Sequence, residues 1–226
     1  EGKEVLCDHL IETGIHVDGA FAEYVRVPAK VCRKMQDTTT YDQGASVDPI
    51  ASAYRTVKAS SITSKDVCVV YGPGPIGLYA VQLIRLRGAK TVICVGTDAD
   101  AKRLALAEEL GADVTINASV EDPVERVREI TGGKMADYVQ DCVGVPGVPE
   151  AAMNMLKKGG TYAVTGLYHS VPQVDLGKVV RSEINIYGTI CYTRQEFEEC
   201  LHLVEEGRVK VEPLITHHFP LREMEE

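Results

Sequence analysis

The stretch from Val69 to Gly88, VVYGPGPIGLYAVQLIRLRG, places glycines at the first, third and sixth positions of a six-residue turn: Gly72, Gly74 and Gly77. A β-branched apolar run precedes the turn and an apolar helical pattern follows it. That context gives each glycine a task. Gly72 permits a tight turn, Gly74 lets backbone approach a ligand without a Cβ in the way, and Gly77 lets the helix sit close to the strand. A helix opening here presents free N–H groups and the positive end of its dipole, which suit a pyrophosphate. The matching chemistry is a carboxylate at the end of the next strand, about 20 residues on, that accepts from ribose hydroxyls. Asp98 stands 21 residues after Gly77. The competing role for Asp98, or for Asp100, is a helix N-cap. A carboxylate at this place repels a 2′-phosphate, so NAD is favoured over NADP. Arg103 moderates that preference, because it either lies along the adenine side or accepts a phosphate.

From Val67 onward a unit recurs, a short apolar strand followed by an amphipathic helix with legible ends. VCVVYG reads as a strand buried on both faces. Its helix runs from about Pro75 to Arg87, with Ile76, Ala80, Leu83 and Ile84 inward and Gly88 as the stop. TVICV is the second strand. Its helix carries Leu104, Ala107 and Leu110 and ends at Gly111. DVTIN is the third, followed by an Asp122 N-cap with Pro123 in the first turn. DYVQDCVG is the fourth, with a helix over Pro149 to Lys157. TYAVTG is the fifth and INIYGTI the sixth. Thr193 and Glu196 then have capping-box spacing and open a helix that ends at Gly207. Strands alternating with helices predict an α/β fold, a doubly wound parallel sheet in the order 3-2-1-4-5-6. Residues 1–60 do not repeat the unit. GAFAEYVRVP alternates like a strand, and YDQGASVDPIASAYRTV reads as a helix around an Asp-Pro.

The bulk properties narrow the class further. The chain has 226 residues, 45% of them apolar, which is enough for a large core. A net charge of −9 argues against nucleic acid and anionic membranes as partners, since both need a basic face. Seven scattered cysteines suit a reducing, cytoplasmic setting better than a disulfide framework. Cys32, Cys68, Cys94, Cys142 and Cys200 lie in apolar runs and read as core. His217 and His218 would point to opposite faces of a strand, which makes them poor partners on one metal. The apolar sixth strand would leave a sheet edge, and such edges are usually covered, so a homo-oligomer is expected.

Taken in order, DGAFAEYVRVP, GASVDPIASAYRTV, the glycine turn with VICVGTDADAKRLALAEELGAD, GGTYAVTGLY and EPLITHHFPL closely resemble the medium-chain, zinc-dependent alcohol dehydrogenases. The sorbitol (polyol) and threonine dehydrogenase branch is nearest. The resemblance covers essentially the whole chain. It implies a GroES-like catalytic domain around a Rossmann domain, NAD(P) in the cleft between them, and a catalytic zinc that polarises a small-molecule alcohol while hydride passes to the nicotinamide. It divides the chain into a catalytic-domain remnant with its linking helix at 1–60, the NAD-binding domain at 61–207, and a return segment at 208–226. It places the cofactor on Gly72, Gly74, Ile76 and Gly77, on Asp98 and Arg103, and, on the nicotinamide side, on Val143, Gly166, Leu167, Ile190 and Cys191. Asp48, before Pro49, falls where the polyol branch has an acidic zinc ligand, usually glutamate. Cys7 falls where the family has the last of four structural-zinc cysteines; one thiolate cannot make that site, so Cys7 is expected to be free.

The family's other zinc ligands would lie upstream of Glu1, and a further helix and strand beyond REMEE. The chain is therefore expected to be a fragment, truncated at both ends, with no catalytic residue of its own and little dehydrogenase activity. Zinc would belong to the intact parent. Two other functions fit parts of the pattern. One is an S-adenosylmethionine-dependent methyltransferase, which also uses a Gly-rich turn and a following acid. The other is a non-catalytic nucleotide-binding module.

Overall fold

The computed structural model describes residues 4–223. The βα repeat forms one six-stranded parallel sheet in the order β3-β2-β1-β4-β5-β6, as the pattern predicts. The strands are β1 (Val67–Tyr71), β2 (Thr91–Gly96), β3 (Val114–Asn117), β4 (Ala136–Asp141), β5 (Leu156–Val164) and β6 (Asn185–Gly188). The helices are α1 (Tyr41–Lys58), α2 (Pro75–Leu86), α3 (Ala101–Glu109), α4 (Pro123–Ile130), α5 (Val148–Met155), α6 (Leu176–Ser182) and α7 (Arg194–Glu205).

The central strands are apolar on both faces because helices cover both. Val69, Val70, Ile93, Val95 and Val139 are fully buried. Each such side chain contributes about 1.5–3 kcal/mol relative to an exposed one. Several helices begin or end where the sequence signals place them. Asp122 accepts from Val124 and Glu125 N–H at the start of α4. Gly88, Gly111 and Gly207 take positive φ just past α2, α3 and α7. Thr193 and Glu196 form the reciprocal capping box of α7.

The chain divides into two compact units. One is Pro49–Ile190, which contains the whole sheet. The other joins Glu1–Asp48 to Cys191–Glu226. In this second unit Val47, Cys200, Leu201, Val204, Val209 and Val211 are buried. Glu205 accepts from the backbone N–H of Gln36 at 2.9 Å, and Gly44 leaves room for the Met35 sulfur. The chain passes from one unit to the other inside α1 and again after Ile190.

Four local expectations need correction. GAFAEYVRVP forms no strand; residues 19–28 are irregular, and Phe21 and Tyr24 are largely exposed. His217 and His218 lie in irregular chain, not on a strand. The helix expected to reach Lys157 stops at Met155, and β5 starts at Leu156, where its pairing with β4 shifts register between Ala136 and Tyr138. Cys32 is exposed rather than core, whereas Cys68, Cys94 and Cys200 are buried, and none of the seven cysteines forms a disulfide.

Candidate functional site

In this doubly wound sheet the strand order reverses between β1 and β4. The loops leaving the carboxyl ends there run in opposite directions and leave a crevice. The glycine turn leaves β1 at that point. Gly72 has φ +101°, a conformation that side chains rarely adopt, and its N–H donates to Val95 O at 2.8 Å. A Cβ on Gly72 would overlap the Val143 side chain, and one on Gly77 would overlap the Gly72 carbonyl oxygen. Gly74 is different. Its φ of −66° and ψ of 176° suit any residue, and a Cβ there would meet nothing within 4 Å. Two glycines are thus required by packing, while the third opens onto free space.

The first helical bond of α2 runs from Leu78 N–H to Gly74 O at 2.9 Å. Pro75 has no N–H. The amides of Ile76 and Gly77 lie ahead of that bond and have no acceptor within the helix. They are donors at the positive end of a helix of 12 residues.

Asp98 sits just beyond β2 and is exposed. It is not the helix cap. Thr97 and Asp100 make the capping box instead. The amide of Asn117, at the end of β3, donates to Asp98 Oδ1 at 2.7 Å, and Asp98 N–H donates to Ser119 Oγ at 3.1 Å. A carboxylate held in this way still has lone pairs for a hydroxyl ligand. Arg103 is exposed and donates to Asp100 Oδ1 at 3.1 Å. Burial raises the Asp100 carboxyl, but the Thr97 hydrogen bonds and Arg103 outweigh it and hold that group below the usual carboxylate range.

On the other side of the switch point, Val143, Gly166 and Leu167 come together. A Cβ on Gly166 would run into Gly144 N, and one on Gly144 into the Leu167 carbonyl. Val143 and Leu167 are 39% and 67% exposed, two apolar side chains facing outward on this rim. Ile190 belongs to the same unit, whereas Cys191 and Asp48 belong to the other. Cys191 has φ +48°, and its thiol lies 3.6 Å from Glu12 Oε1.

The structure also gathers residues that the sequence did not single out. Beneath the rim, Gln140 donates to Thr165 Oγ1 at 3.0 Å and accepts from the Tyr138 hydroxyl at 2.9 Å. Thr165 Oγ1 lies 2.9 Å from Thr56 Oγ1, which lies 2.5 Å from Thr189 Oγ1. The network ties the end of α1 to β4 and to the loops after β5 and β6. Beside it stands Asp141, fully buried at the end of β4.

Asp48 lies inside α1 and is exposed. Its Oδ1 accepts the Tyr192 hydroxyl. Burial, then that bond and charge, push the Tyr192 phenol well above its ordinary value. Among the described residues no three His, Cys, Asp or Glu side chains are grouped to hold a metal ion. One carboxylate facing a phenol is not a tetrahedral donor set, so these residues do not by themselves fit a zinc.

A family model described as zinc-binding dehydrogenase matches residues 75–206, more than half of the chain. The chain belongs to that family. A sorbitol dehydrogenase from Halalkalibacterium halodurans is 33% identical over 224 residues, which is 98% of this chain and 65% of the relative. A zinc-binding dehydrogenase from Sinorhizobium meliloti 1021, solved bound to NADP, superposes with a TM-score of 0.87 at 31% identity. That match covers 93% of this chain and 62% of the other. A short chain alcohol dehydrogenase from Escherichia coli CFT073, solved with NADH, gives a TM-score of 0.89 at 27% identity over 97% of this chain and 64% of its own. The chain thus spans just under two thirds of the relatives it matches. Family membership displaces the methyltransferase alternative.

The glycine geometry makes a contrast that thermal melting can read. Gly77→Ala should lose about 2 kcal/mol or more, because a backbone oxygen must move to admit the new Cβ. Gly74→Ala should be neutral or stabilising by up to about 1 kcal/mol, because its conformation tolerates alanine and nothing is displaced. Equal losses in the two variants would contradict the distinction.

Proposed function

We propose that this chain is the NAD(P)-binding portion of an alcohol or polyol dehydrogenase, with NAD preferred to NADP. The observation that carries the proposal is the pairing of an open Gly74, after β1, with an oriented Asp98 that is not the helix cap, after the neighbouring β2. The residues suit each part of a dinucleotide. The Ile76 and Gly77 amides would take pyrophosphate oxygens, Asp98 the adenosine ribose, and Val143, Gly166 and Leu167 the nicotinamide face, with Ile190 following β6. The nicotinamide supplies a hydride acceptor or donor when bound. The chain's own contribution is to bind it, orient it and bring apolar rim side chains against it.

Further points support parts of this reading. The hydrogen bond of Arg103 to Asp100 competes with any 2′-phosphate for that guanidinium, which favours NAD. The NADP- and NADH-bound neighbours make either nucleotide a sensible probe. The names of the relatives point to a secondary alcohol or polyol as the substrate class of the whole protein. A cytoplasmic setting is supported by seven scattered cysteines that form no disulfide. Among the described residues no helix is long and apolar enough to cross a membrane.

The direct test is titration of the chain with NADH, followed by the quenching or enhancement of its fluorescence. Gly74→Ala should weaken NADH by about tenfold or more, equal to 1.4 kcal/mol, while the fold is kept. The added methyl stands where phosphate oxygens must approach. Asp98→Asn should move the NADH/NADPH affinity ratio toward NADPH. A wild-type chain that binds neither nucleotide would overturn the proposal.

Association through β6 belongs to the same proposal. This strand is one of the two edges of the sheet, and Ile186 and Ile190 are 42% and 44% exposed on or next to it. Sedimentation should show a dimer or larger species that Ile186→Lys shifts toward the monomer. A wild-type monomer at micromolar concentration would contradict this.

A further inference from the structure

A fully buried carboxylate is costly unless several donors compensate for it, so Asp141 calls for an account. Its surroundings are unusually complete. Asp141 Oδ1 accepts from Val143 N–H at 2.8 Å and Gly144 N–H at 3.1 Å. Asp141 Oδ2 accepts from the hydroxyls of Tyr162, at 2.8 Å, and of Tyr168. The two hydroxyl oxygens lie 3.1 Å apart. The backbone carbonyl of the same residue accepts from Thr165 N–H and Gly166 N–H, both at 2.9 Å. One residue therefore receives six hydrogen bonds, from the loop after β4 and from β5 with the loop after it. Burial raises both phenols well above their ordinary values, and their bonds with each other and with Asp141 modify this, so Tyr162 and Tyr168 stay protonated donors.

The residues clamped in this way are the rim. Val143 and Gly144 hang on the carboxylate, Gly166 on the carbonyl, and Leu167 lies between Gly166 and Tyr168. Tyr162 donates from within β5, and Tyr168 from just beyond the strand. Resting on the cofactor reading above, we propose that Asp141, with Tyr162 and Tyr168, is a positioning group for the nicotinamide half of the dinucleotide. It acts through Val143, Gly166 and Leu167, and its hydrogen bonds reach neither the glycine turn nor Asp98. Its removal should loosen one end of the cofactor site and leave the other intact.

Asp141→Asn keeps the shape but replaces two acceptor sites with an N–H₂ group. The amide can keep its oxygen on the backbone donors only if both hydroxyls turn to accept from it. Tyr168→Phe removes one hydroxyl at the half-buried end and leaves five of the six bonds, so it keeps the fold. The experiment compares NADH with ADP-ribose, which lacks the nicotinamide, on wild type and both variants by calorimetry, with thermal melts alongside. The expected result is NADH affinity lowered about five- to tenfold in each variant and ADP-ribose affinity unchanged within about twofold. Equal losses for the two ligands, or no loss for NADH in either variant, would overturn the inference. A wild type that binds ADP-ribose but not NADH would also overturn it. A wild type that binds neither would overturn the cofactor reading on which it rests, which is a different result.

Discussion

Gly72 O stands where a Cβ on residue 77 would have to be. Around that close approach the rest of the site is arranged. The contact brings the first turn of α2 down onto the exit of β1, so the amides of Ile76 and Gly77, ahead of the first helical bond, lie at the strand's carboxyl end. The positive φ of Gly72 turns the chain sharply enough to reach this position, and the Gly72 N–H bond to Val95 O fixes the turn against β2. Everything proposed for the pyrophosphate follows from this packing. Gly74 has no packing duty, which is why its lack of a side chain calls for a ligand-facing explanation.

The two sides of the switch point are built by different physics. On the β2 side the site is local and exposed: a capping box frees Asp98, and one amide from the next strand orients it. On the β4–β5 side it is buried and shared. Asp141 gathers donors from segments more than 20 residues apart, and Gln140 starts a hydroxyl chain that reaches Thr56 and Thr189. Buried networks of this kind are costly when incomplete and rigid when satisfied. Among the described residues no buried side-chain N or O atom lacks a partner. That completeness is consistent with a rim whose shape matters.

These differences also explain what the sequence could show. Strands, helix stops and the sheet order follow from local signals: β-branched runs, Pro at helix starts, and glycines such as Gly88, Gly111 and Gly207 that take left-handed backbone. The glycine turn and Asp98 have a fixed spacing, so they too can be read along the chain. Asp141 could not. Within DYVQDCVG it looks like any acid at a strand end, and its phenol partners carry no spacing rule. The alternation in GAFAEYVRVP misled because a strand exists only with a partner strand, and none pairs there. The Cys32 segment misled in the same way: an apolar run is buried only if something packs on it. The helix before β5 stops at Met155, short of the expected Lys157, because the chain turns extended at Leu156, which pairs with Ala136 of β4.

The central claim is that backbone amides at the start of α2 meet a diphosphate while Asp98 meets the adjoining ribose. Amide NMR of the ¹⁵N-labelled chain titrated with ADP-ribose tests it most directly. The account predicts that the largest shifts fall on Gly74, Ile76, Gly77 and Asp98, with Val143 and Gly166 moving only when NADH replaces ADP-ribose. Saturable binding that leaves the four residues of the first group unshifted would contradict it.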